Sequence, residues 1–234
     1  ACAGMDIPVY GMLPKMSELQ WPERHLGLQA SQEQEFPNIE ILSEKAENHL
    51  DLDGILDLIE IPDNSDFSNT SADKKMDSVK KIGVARDEAF HFYYRANLEW
   101  LNTSGAEMVQ FSPLKDSELP QNLDGLLIGG GFPEIYAEAM SENHSMRQSL
   151  KKAIVSGMPC YAECGGLMLL AESLQTREGR SFPMAGMIPG SVRMTERLQH
   201  FGYCQARFEE GGSFRGHEFH YSNWEEESNL ANAW

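Results

Sequence analysis

The sequence has few cysteines, few basic residues and no long apolar run, and each shortage excludes a class of protein. Four cysteines among 234 residues do not form a disulfide scaffold, and no Cys-x-x-Cys pair indicates a zinc site. The 19 basic residues against 36 acidic ones give a formal net charge of −17, which argues against partners such as nucleic acid or anionic lipid. No apolar run approaches the roughly 20 residues that a membrane-spanning helix needs. We therefore expect no nucleic acid and no membrane among the partners, and a cytoplasmic location.

Two further absences concern the start of the chain and nucleotide binding. The chain begins Ala1-Cys2-Ala3-Gly4, without an initiator methionine or a signal-peptide pattern. We interpret it as a piece of a longer protein. No Gly-x-x-x-x-Gly-Lys-Ser/Thr run is present, so nothing in the chain itself predicts ATP binding.

Three stretches of the chain differ in composition and pattern. Residues 1–60 begin with prolines and glycines and continue with apolar residues near helical spacing, but they hold too few large apolar side chains for a core of their own. Residues 61–81 are rich in Asp, Ser, Asn and Lys and are typical of a linker. Residues 82–234 read as a domain. We interpret the first stretch as the end of a domain whose beginning is absent.

The pattern from residue 82 onward predicts an α/β fold. Short apolar runs suited to buried strands alternate with helical patterns, which favours a parallel sheet flanked by helices. Towards the end of the chain the pattern becomes more β-like. The predicted strands are 82–85, 108–111, 123–128, 158–161, 201–208 and 216–221, and the predicted helices are 91–103, 133–156 and 167–174.

Cys164 lies between a predicted strand and a predicted helix, in the run Ala-Glu-Cys-Gly-Gly. A tight turn of this kind lifts the side chain above the carboxyl edge of the sheet, where open α/β folds place their sites. It also places the sulfur near the positive end of the next helix, which favours the thiolate. From spacing alone, a nucleophile and a buried cysteine in a glycine-rich turn both stay open. Cys160 lies inside the strand and is expected in the core, while Cys2 and Cys204 have no supporting context.

A second strand-to-helix junction contains the three consecutive glycines Gly129–Gly131, followed after one residue by Pro133. Proline suits a first helical turn, and glycines let backbone N–H groups approach a ligand closely. Such a loop can supply an oxyanion hole for acyl transfer. Taken alone, it is equally compatible with a simple turn.

Two histidines, His217 and His220, lie three residues apart in a predicted strand. A cysteine nucleophile needs a base that accepts its proton and then protonates the leaving amine. Residues at i and i+3 of a strand point to opposite faces, so we expect only one of the two to face the site. Spacing alone does not choose between them.

Several segments, in order along nearly the whole chain, resemble the C-terminal part of the cobyrinic acid a,c-diamide synthases, the amidating enzymes of corrin-ring biosynthesis. The segments RHLGL and AECGGLM are the most specific to that family. The matching segments are GMLP (11–14), RHLGL (24–28), ARDEAFHFYY (85–94), FSP (111–113), GGGFPE (129–134), AECGGLM (162–168) and GHEFHYS (216–222).

The resemblance implies a class I glutamine amidotransferase fold, an open and mostly parallel sheet flanked by helices, over residues 82–234. It implies that residues 1–60 are the tail of an ATP-dependent synthetase domain, and that the glutaminase domain is truncated at its C-terminus. Glutamine would be hydrolysed in this chain. In the missing synthetase domain, ATP and Mg²⁺ would serve the amidation of the a and c acetate side chains of cobyrinic acid. No cofactor and no metal is expected in this part of the protein, and a homodimer stays open.

The resemblance also assigns roles to residues. It makes Cys164 the nucleophile and His220 its base, with the backbone N–H groups of Gly131 and Gly165 as the oxyanion hole. Residues beside this site are expected to support it, with the two glutamates holding loop geometry or the glutamine amine. These supporting residues are His217, Ser222, Glu163 and Glu134.

Two features depart from other class I glutaminases. Many of them carry Glu two residues after the catalytic His, where this chain has Ser222, so another group must orient His220. The usual Gly-x-Cys-x-Gly-His-Gln run is replaced by Cys-Gly-Gly-Leu-Met, so that branch's glutamine contacts do not transfer. Alternatives are a related corrin amidase (cobyric acid synthase or hydrogenobyrinic acid a,c-diamide synthase), a cysteine hydrolase of another kind, or a docking module.

Overall fold

The computed structural model describes residues 7–17, 39–59, 79–207 and 212–225. The chain divides into two compact units, residues 1–71 and 72–234. The RHLGL segment (24–28) and residues 61–78 of the predicted linker lie outside the described residues. Within the described ranges, no helix has the length and apolar character needed to cross a bilayer.

The described residues of the first unit, 7–17 and 39–59, form two short helices, α1 (Ile39–His49) and α2 (Leu52–Leu56). Asp51 caps α2, because its side chain accepts a hydrogen bond from the backbone N–H of Gly54 at 3.0 Å. Neither helix contains a buried residue.

The second unit alternates strands and helices before it becomes mostly β. Its helices are α3 (Arg95–Thr103), α4 (Ala137–Glu142), α5 (His144–Val155) and α6 (Gly165–Leu170), with a 3-10 helix at Pro133–Tyr136. Its strands are β1 (Lys80–Ala85), β2 (Phe90–Phe92), β3 (Ala106–Phe111), β4 (Gly125–Ile128), β5 (Gly130–Gly131), β6 (Cys160–Ala162), β7 (Ala171–Gln175), β8 (Ser181–Pro183), β9 (Ile188–Met194), β10 (His200–Arg207), β11 (Ser213–His220) and β12 (Ser222–Glu225).

The main sheet is parallel and has the strand order β3-β1-β4-β6. A second sheet has the order β12-β9-β7-β8, in which only β7 and β9 run parallel. Two antiparallel pairs, β2 with β5 and β10 with β11, complete the described strands. The predicted open sheet flanked by helices is therefore confirmed.

The core consists of apolar side chains from the main sheet, the second sheet and the helices packed on them. Ile128 of β4, Leu150 of α5 and Leu169 of α6 are almost completely buried. At about 25 cal/mol per Å² of apolar area, side chains of this size contribute roughly 1.5–3 kcal/mol each to folding. This burial fixes the ends of β4 and β6, which carry the functional loops.

Two helices are shorter in the structure than the sequence predicts, because the residues at one end of each form a paired β-strand instead. The helix predicted over 91–103 begins at Arg95, since residues 90–92 form β2 and pair with the two glycines of β5. The helix predicted over 167–174 ends at Leu170, because residues 171–175 form β7 between β8 and β9. The helical stretch predicted over 133–156 is divided at Asn143, whose side chain caps α5.

Candidate active site

The two glycine-containing loops leave the main sheet side by side. Strands β4 and β6 are parallel neighbours with Ile128 opposite Ala162, so the residues that follow them emerge at the same edge. The backbone N–H of Glu163 donates to the carbonyl of Ile128 at 3.1 Å. A Cβ on Gly130 would lie 3.6 Å from the Cβ of Cys164. The fold therefore brings together the two junctions that the sequence singles out.

Cys164 occupies a strained backbone conformation at the N-terminus of α6. Its φ is +51° and its ψ is −109°, which costs a residue other than glycine about 1–3 kcal/mol. The chain can turn here because Gly165 and Gly166 are small and buried. A Cβ on Gly166 would lie 2.2 Å from the carbonyl oxygen of Ile128. The predicted tight strand-to-helix turn is confirmed.

Two backbone N–H groups converge on the Cys164 sulfur. The backbone N–H groups of Gly165 and Gly131 each lower the pKa of the thiol. The two donors are close to each other, since a Cβ on Gly165 would lie 3.3 Å from the nitrogen of Gly131. An oxygen that develops negative charge next to the sulfur would meet the same two donors.

The net pKa of the Cys164 thiol is nevertheless raised above its ordinary value. Burial is the largest cause, and the negative charges of Glu134 and Glu163 add to it. These effects outweigh the two N–H donors, although the side chain stays accessible to solvent. The expectation that the turn favours the thiolate is therefore wrong for the free protein, because burial and the two nearby carboxylates raise the thiol pKa more than the N–H groups lower it.

Asp87 anchors the strand that pairs with the glycine loop. Its buried carboxylate accepts four hydrogen bonds, from Ala89 N at 2.8 Å, Phe90 N at 3.1 Å, Ser112 Oγ at 2.8 Å and Leu114 N at 3.0 Å. These bonds start β2, whose first residue lies opposite Gly131. The sequence pattern alone assigns Asp87 no role, and the signal that could have found it is a short acidic residue two positions after a buried strand.

Tyr93 holds the first glycine of the same loop. Its hydroxyl donates to the carbonyl of Ala85 at 2.5 Å and accepts from the backbone N–H of Gly129 at 2.9 Å. Burial raises the pKa of the Tyr93 hydroxyl to about 12, so the group keeps its proton and both bonds persist at neutral pH. The loop is thus fixed from two sides before any ligand binds.

His220 is the last residue of β11, and a backbone carbonyl orients it. Its Nδ1 lies 2.9 Å from the carbonyl oxygen of Ser222. Because a carbonyl only accepts, the imidazole nitrogen must donate, which places the proton on Nδ1 and leaves Nε2 available as a base. The group that orients His220 is therefore a main-chain oxygen of residue 222 and not the Ser222 side chain.

The two histidines of β11 differ in their surroundings. His217 is exposed and lies opposite Tyr203, whereas His220 is half-buried and stacks on His200 with ring centroids 6.2 Å apart. This matches the expectation that they face opposite sides of the strand. No hydrogen bond joins His220 to Cys164, both of which belong to the described part of the chain.

The two glutamates beside Cys164 have different environments. Glu163 is exposed, and its carboxylate accepts a hydrogen bond from the Tyr161 hydroxyl at 2.9 Å. Glu134 is half-buried, and burial raises the pKa of its carboxyl, while its own backbone N–H and Arg177 act in the opposite direction. In the described ranges, no cluster of three or more His, Cys, Asp or Glu residues is arranged to bind a metal ion.

Comparisons with known proteins identify the family of this domain. Residues 81–233 match the profile of the CobB/CobQ-like glutamine amidotransferase domain. The cobyrinate a,c-diamide synthase of Caldanaerobacter subterraneus subsp. tengcongensis is 44% identical over 230 residues, which cover 94% of this chain and 50% of that protein. The cobyrinate a,c-diamide synthase of Listeria innocua is 44% identical over 229 residues, with the same coverage of 94% and 50%. This chain spans about half the length of the curated relatives it matches.

A solved glutamine amidotransferase structure is a more distant likeness, with 19% identity and a TM-score of 0.45 over 59% of this chain and 70% of that chain. The family match carries the assignment, because it spans Cys164, His220 and both glycine loops. The chain belongs to the CobB/CobQ-like glutamine amidotransferase domain family.

Proposed function

We propose that this chain is the glutaminase part of a cobyrinate a,c-diamide synthase, with Cys164 and His220 as its catalytic pair. The observation that carries the proposal is the geometry at Cys164, a strained strand-to-helix turn with the N–H groups of Gly131 and Gly165 on the sulfur. The similarity to two curated cobyrinate a,c-diamide synthases supports the choice of acceptor.

The reaction begins with attack of the Cys164 sulfur on the side-chain carboxamide carbon of glutamine. His220 Nε2 accepts the thiol proton, and the oxyanion of the tetrahedral intermediate binds the N–H groups of Gly131 and Gly165. Collapse breaks the C–N bond, and the His220 imidazolium protonates the leaving ammonia. Water then attacks the γ-glutamyl thioester, which releases glutamate and restores the thiol.

The raised thiol pKa explains why His220 is needed. At neutral pH Cys164 holds its proton in the free protein, so attack requires a base that removes this proton. The Ser222 carbonyl keeps the His220 ring in the required tautomer. We infer that the hydrogen bond between His220 and the sulfur forms with glutamine bound, since such bonds are often long without substrate.

The acceptor chemistry belongs to the part of the protein outside this chain. This sequence has no phosphate-binding loop, so no step of nucleotide chemistry is assigned to its residues. We propose that ATP and Mg²⁺ act in the synthetase half, where the a and c carboxylates of cobyrinic acid are activated and then react with the ammonia produced at Cys164.

The test is ammonia release from glutamine by Cys164→Ala, with Cys160→Ala as the matched control. Cys160 is half-buried in β6, and burial raises the pKa of its thiol to about 11, so it is a poor nucleophile. We expect the Cys164 variant to lose all glutaminase activity and the Cys160 variant to keep it. A Cys164 variant that retains the full rate would exclude the proposed nucleophile.

The acceptor is tested in the full-length protein that contains this chain, with cobyrinic acid, ATP and Mg²⁺. There, Cys164→Ala is expected to abolish a,c-diamide formation from glutamine but not from added ammonium salt, because free ammonia bypasses the glutaminase site. If neither nitrogen source gave the diamide and another corrin were amidated instead, the chain would belong to a related corrin amidase.

A further inference from the structure

The His220 ring is oriented by a hydrogen bond at one of its two nitrogens. Within the described ranges, the ring takes part in one hydrogen bond, in which Nδ1 donates to the carbonyl of Ser222 at 2.9 Å. This bond fixes the tautomer, but a ring held at one nitrogen can still turn about the bond, and turning displaces Nε2. A displacement of about 1 Å can lower a rate by about 100-fold. The position of the base therefore depends on what lies beside the ring.

The ring of His200 lies beside His220 on the neighbouring strand. His200 of β10 is directly opposite His220 of β11, and the two imidazole rings are stacked, with 12° between their planes and 6.2 Å between their centroids. Side chains that are directly opposite in an antiparallel pair share one face of the sheet and interact with each other. A flat ring in this position limits the angle through which the His220 ring can turn.

Glu218 in turn restrains the ring of His200. Because side chains alternate along a strand, Glu218 shares the face of His220, and its Oε2 lies 2.5 Å from His200 Nδ1. The residue opposite Glu218 is Gly202, and a Cβ built on that glycine would have no atom of the described residues within 4 Å. The space opposite is therefore open, and the carboxylate can reach diagonally across the hairpin to His200.

The contact between Glu218 and His200 is too exposed to serve mainly as a source of stability. The two side chains are 35% and 52% exposed, and pairs at such exposure add little to the free energy of unfolding, because water competes for both groups. Its main physical effect is on orientation, since it restricts the ring that stacks on His220.

We propose that His200, held by Glu218, is a positioning residue that keeps the His220 imidazole in the orientation in which Nε2 accepts the Cys164 proton. This inference rests on the proposed glutaminase function. The Ser222 carbonyl sets which nitrogen carries the proton, and the stacked ring sets the plane of the imidazole. Because neither member of the pair touches glutamine in this scheme, their loss lowers kcat and leaves KM for glutamine nearly unchanged.

The experiment measures kcat and KM for ammonia release from glutamine by the full-length protein that contains this chain. We expect His200→Ala to lower kcat about fivefold or more with KM within about twofold, because the His220 ring then spends less time in the productive orientation. His200→Phe keeps a flat ring beside His220 and is expected to recover part of the lost kcat. The midpoint of urea unfolding is expected to stay unchanged in both variants, since His200 is exposed.

Variants of Glu218 test whether the carboxylate acts through His200. Glu218→Ala removes the contact with Nδ1 but leaves the His200 ring in place, so we expect a loss in kcat that is smaller than that of His200→Ala. Glu218→Gln keeps an oxygen that can accept from His200 Nδ1, and it is expected to recover most of the loss seen in Glu218→Ala. In the His200→Ala background, Glu218→Ala is expected to have no further effect.

A residue that acts through His220 loses its effect once His220 is removed. We therefore expect His200→Ala to cause no further loss of kcat in the His220→Ala background, whereas two independent changes would multiply. The matched control is Tyr203→Ala, because Tyr203 lies in the same hairpin, directly opposite His217, and is fully exposed. We expect this variant to leave kcat and KM unchanged.

The outcomes separate this inference from the proposed function. An unchanged kcat in His200→Ala, or a raised KM with an unchanged kcat, would overturn the inference while glutamine hydrolysis stands. An equal loss from His200→Ala in the presence and absence of His220 would also overturn it, because His200 would then act elsewhere. If the unmodified protein released no ammonia from glutamine, the proposed function would fall and this inference with it.

Discussion

The two regions that carry the proposed nucleophile and the proposed base, called here the nucleophile side and the base side, are built differently. Cys164 sits on the buried main sheet, where Ile128 is completely buried and added atoms at Gly131 or Gly166 would collide with backbone oxygens at 1.9 and 2.2 Å. His220 ends a two-stranded hairpin in which Tyr203 is 98% exposed and Phe201 is 74% exposed. The nucleophile and oxyanion loops are therefore fixed by close packing, whereas the base depends on a few contacts.

Those few contacts lie at the junction of β11 and β12. Thr195 N donates to the carbonyl of Tyr221 at 2.7 Å, and Gln199 N donates to the carbonyl of His220 at 3.0 Å. The Tyr221 ring packs against the core. Attack by Cys164 therefore depends on both regions, because the protonated thiol must pass its proton to a base before the sulfur reacts.

The largest expected effect is on turnover and comes from the base. We expect His220→Ala to lower kcat/KM for glutamine by about 10²–10⁴-fold, since the protonated thiol then has no acceptor for its proton. His217→Ala is the control, because that side chain is exposed on the other face of the strand, and its loss should stay below tenfold. The measurement is steady-state ammonia release, and the reverse ranking would overturn the choice of base.

The next effect is on stability and tests the packing of the nucleophile side. We expect Gly166→Ala to destabilise the domain by about 3 kcal/mol or more, because its Cβ would meet the Ile128 carbonyl oxygen at 2.2 Å. In the hairpin, Gly216→Ala places a Cβ at an ordinary 3.6 Å from Cys204 Sγ and should change stability by less than about 0.5 kcal/mol. Urea unfolding measures both; equal effects would contradict the contrast between the two regions.

A smaller stability effect comes from the anchor of the glycine loop. We expect Asp87→Asn to cost about 1–3 kcal/mol, because an amide has one acceptor oxygen where the buried carboxylate has two that together accept four hydrogen bonds. Glu225→Gln removes an exposed ion pair on the base side, 2.7 Å from Arg193, and should cost less than about 0.5 kcal/mol. The measurement is the midpoint of urea unfolding, with the dependence of the unfolding free energy on urea unchanged. An Asp87 variant with an unchanged midpoint would show that this carboxylate does not stabilise the glycine loop.

The smallest expected effect is on the titration of the nucleophile. The charge of Glu163 raises the pKa of the Cys164 thiol, so Glu163→Gln should lower it, and alkylation by iodoacetamide should reach half its maximal rate at a lower pH. Glu138→Gln is the control, because that exposed residue pairs with Arg180. The measurement is the pH profile of Cys164 alkylation followed by peptide mass. A profile that moves upward, or moves equally in both variants, would contradict the assigned cause.

The sequence predicts best what depends on local pattern. Apolar runs locate β1, β3, β4 and β6, and the Gly-flanked turn at Cys164 follows from its neighbours along the chain. The resemblance to a known family supplies the choice of His220 over His217, which spacing leaves open. Both kinds of signal concern residues whose role is visible without knowing what packs against them.

The sequence pattern does not predict a structure or a role that depends on a residue far away along the chain. Residues 171–174 have apolar spacing compatible with a helix, yet they form a strand because β8 and β9 pair with them. The Ser222 carbonyl that orients His220 leaves no mark in the side-chain pattern, because every residue has such a group.

The most direct test of the account is covalent labelling with 6-diazo-5-oxo-L-norleucine, a glutamine analogue that alkylates catalytic thiols. Peptide mass mapping is expected to place a single adduct on Cys164 and none on Cys160 or Cys204, with labelling blocked by excess glutamine. His220→Ala is expected to slow formation of this adduct as well as turnover, because the protonated thiol then has no acceptor for its proton. No adduct on Cys164, or an adduct on another cysteine, would contradict the assignment of this site.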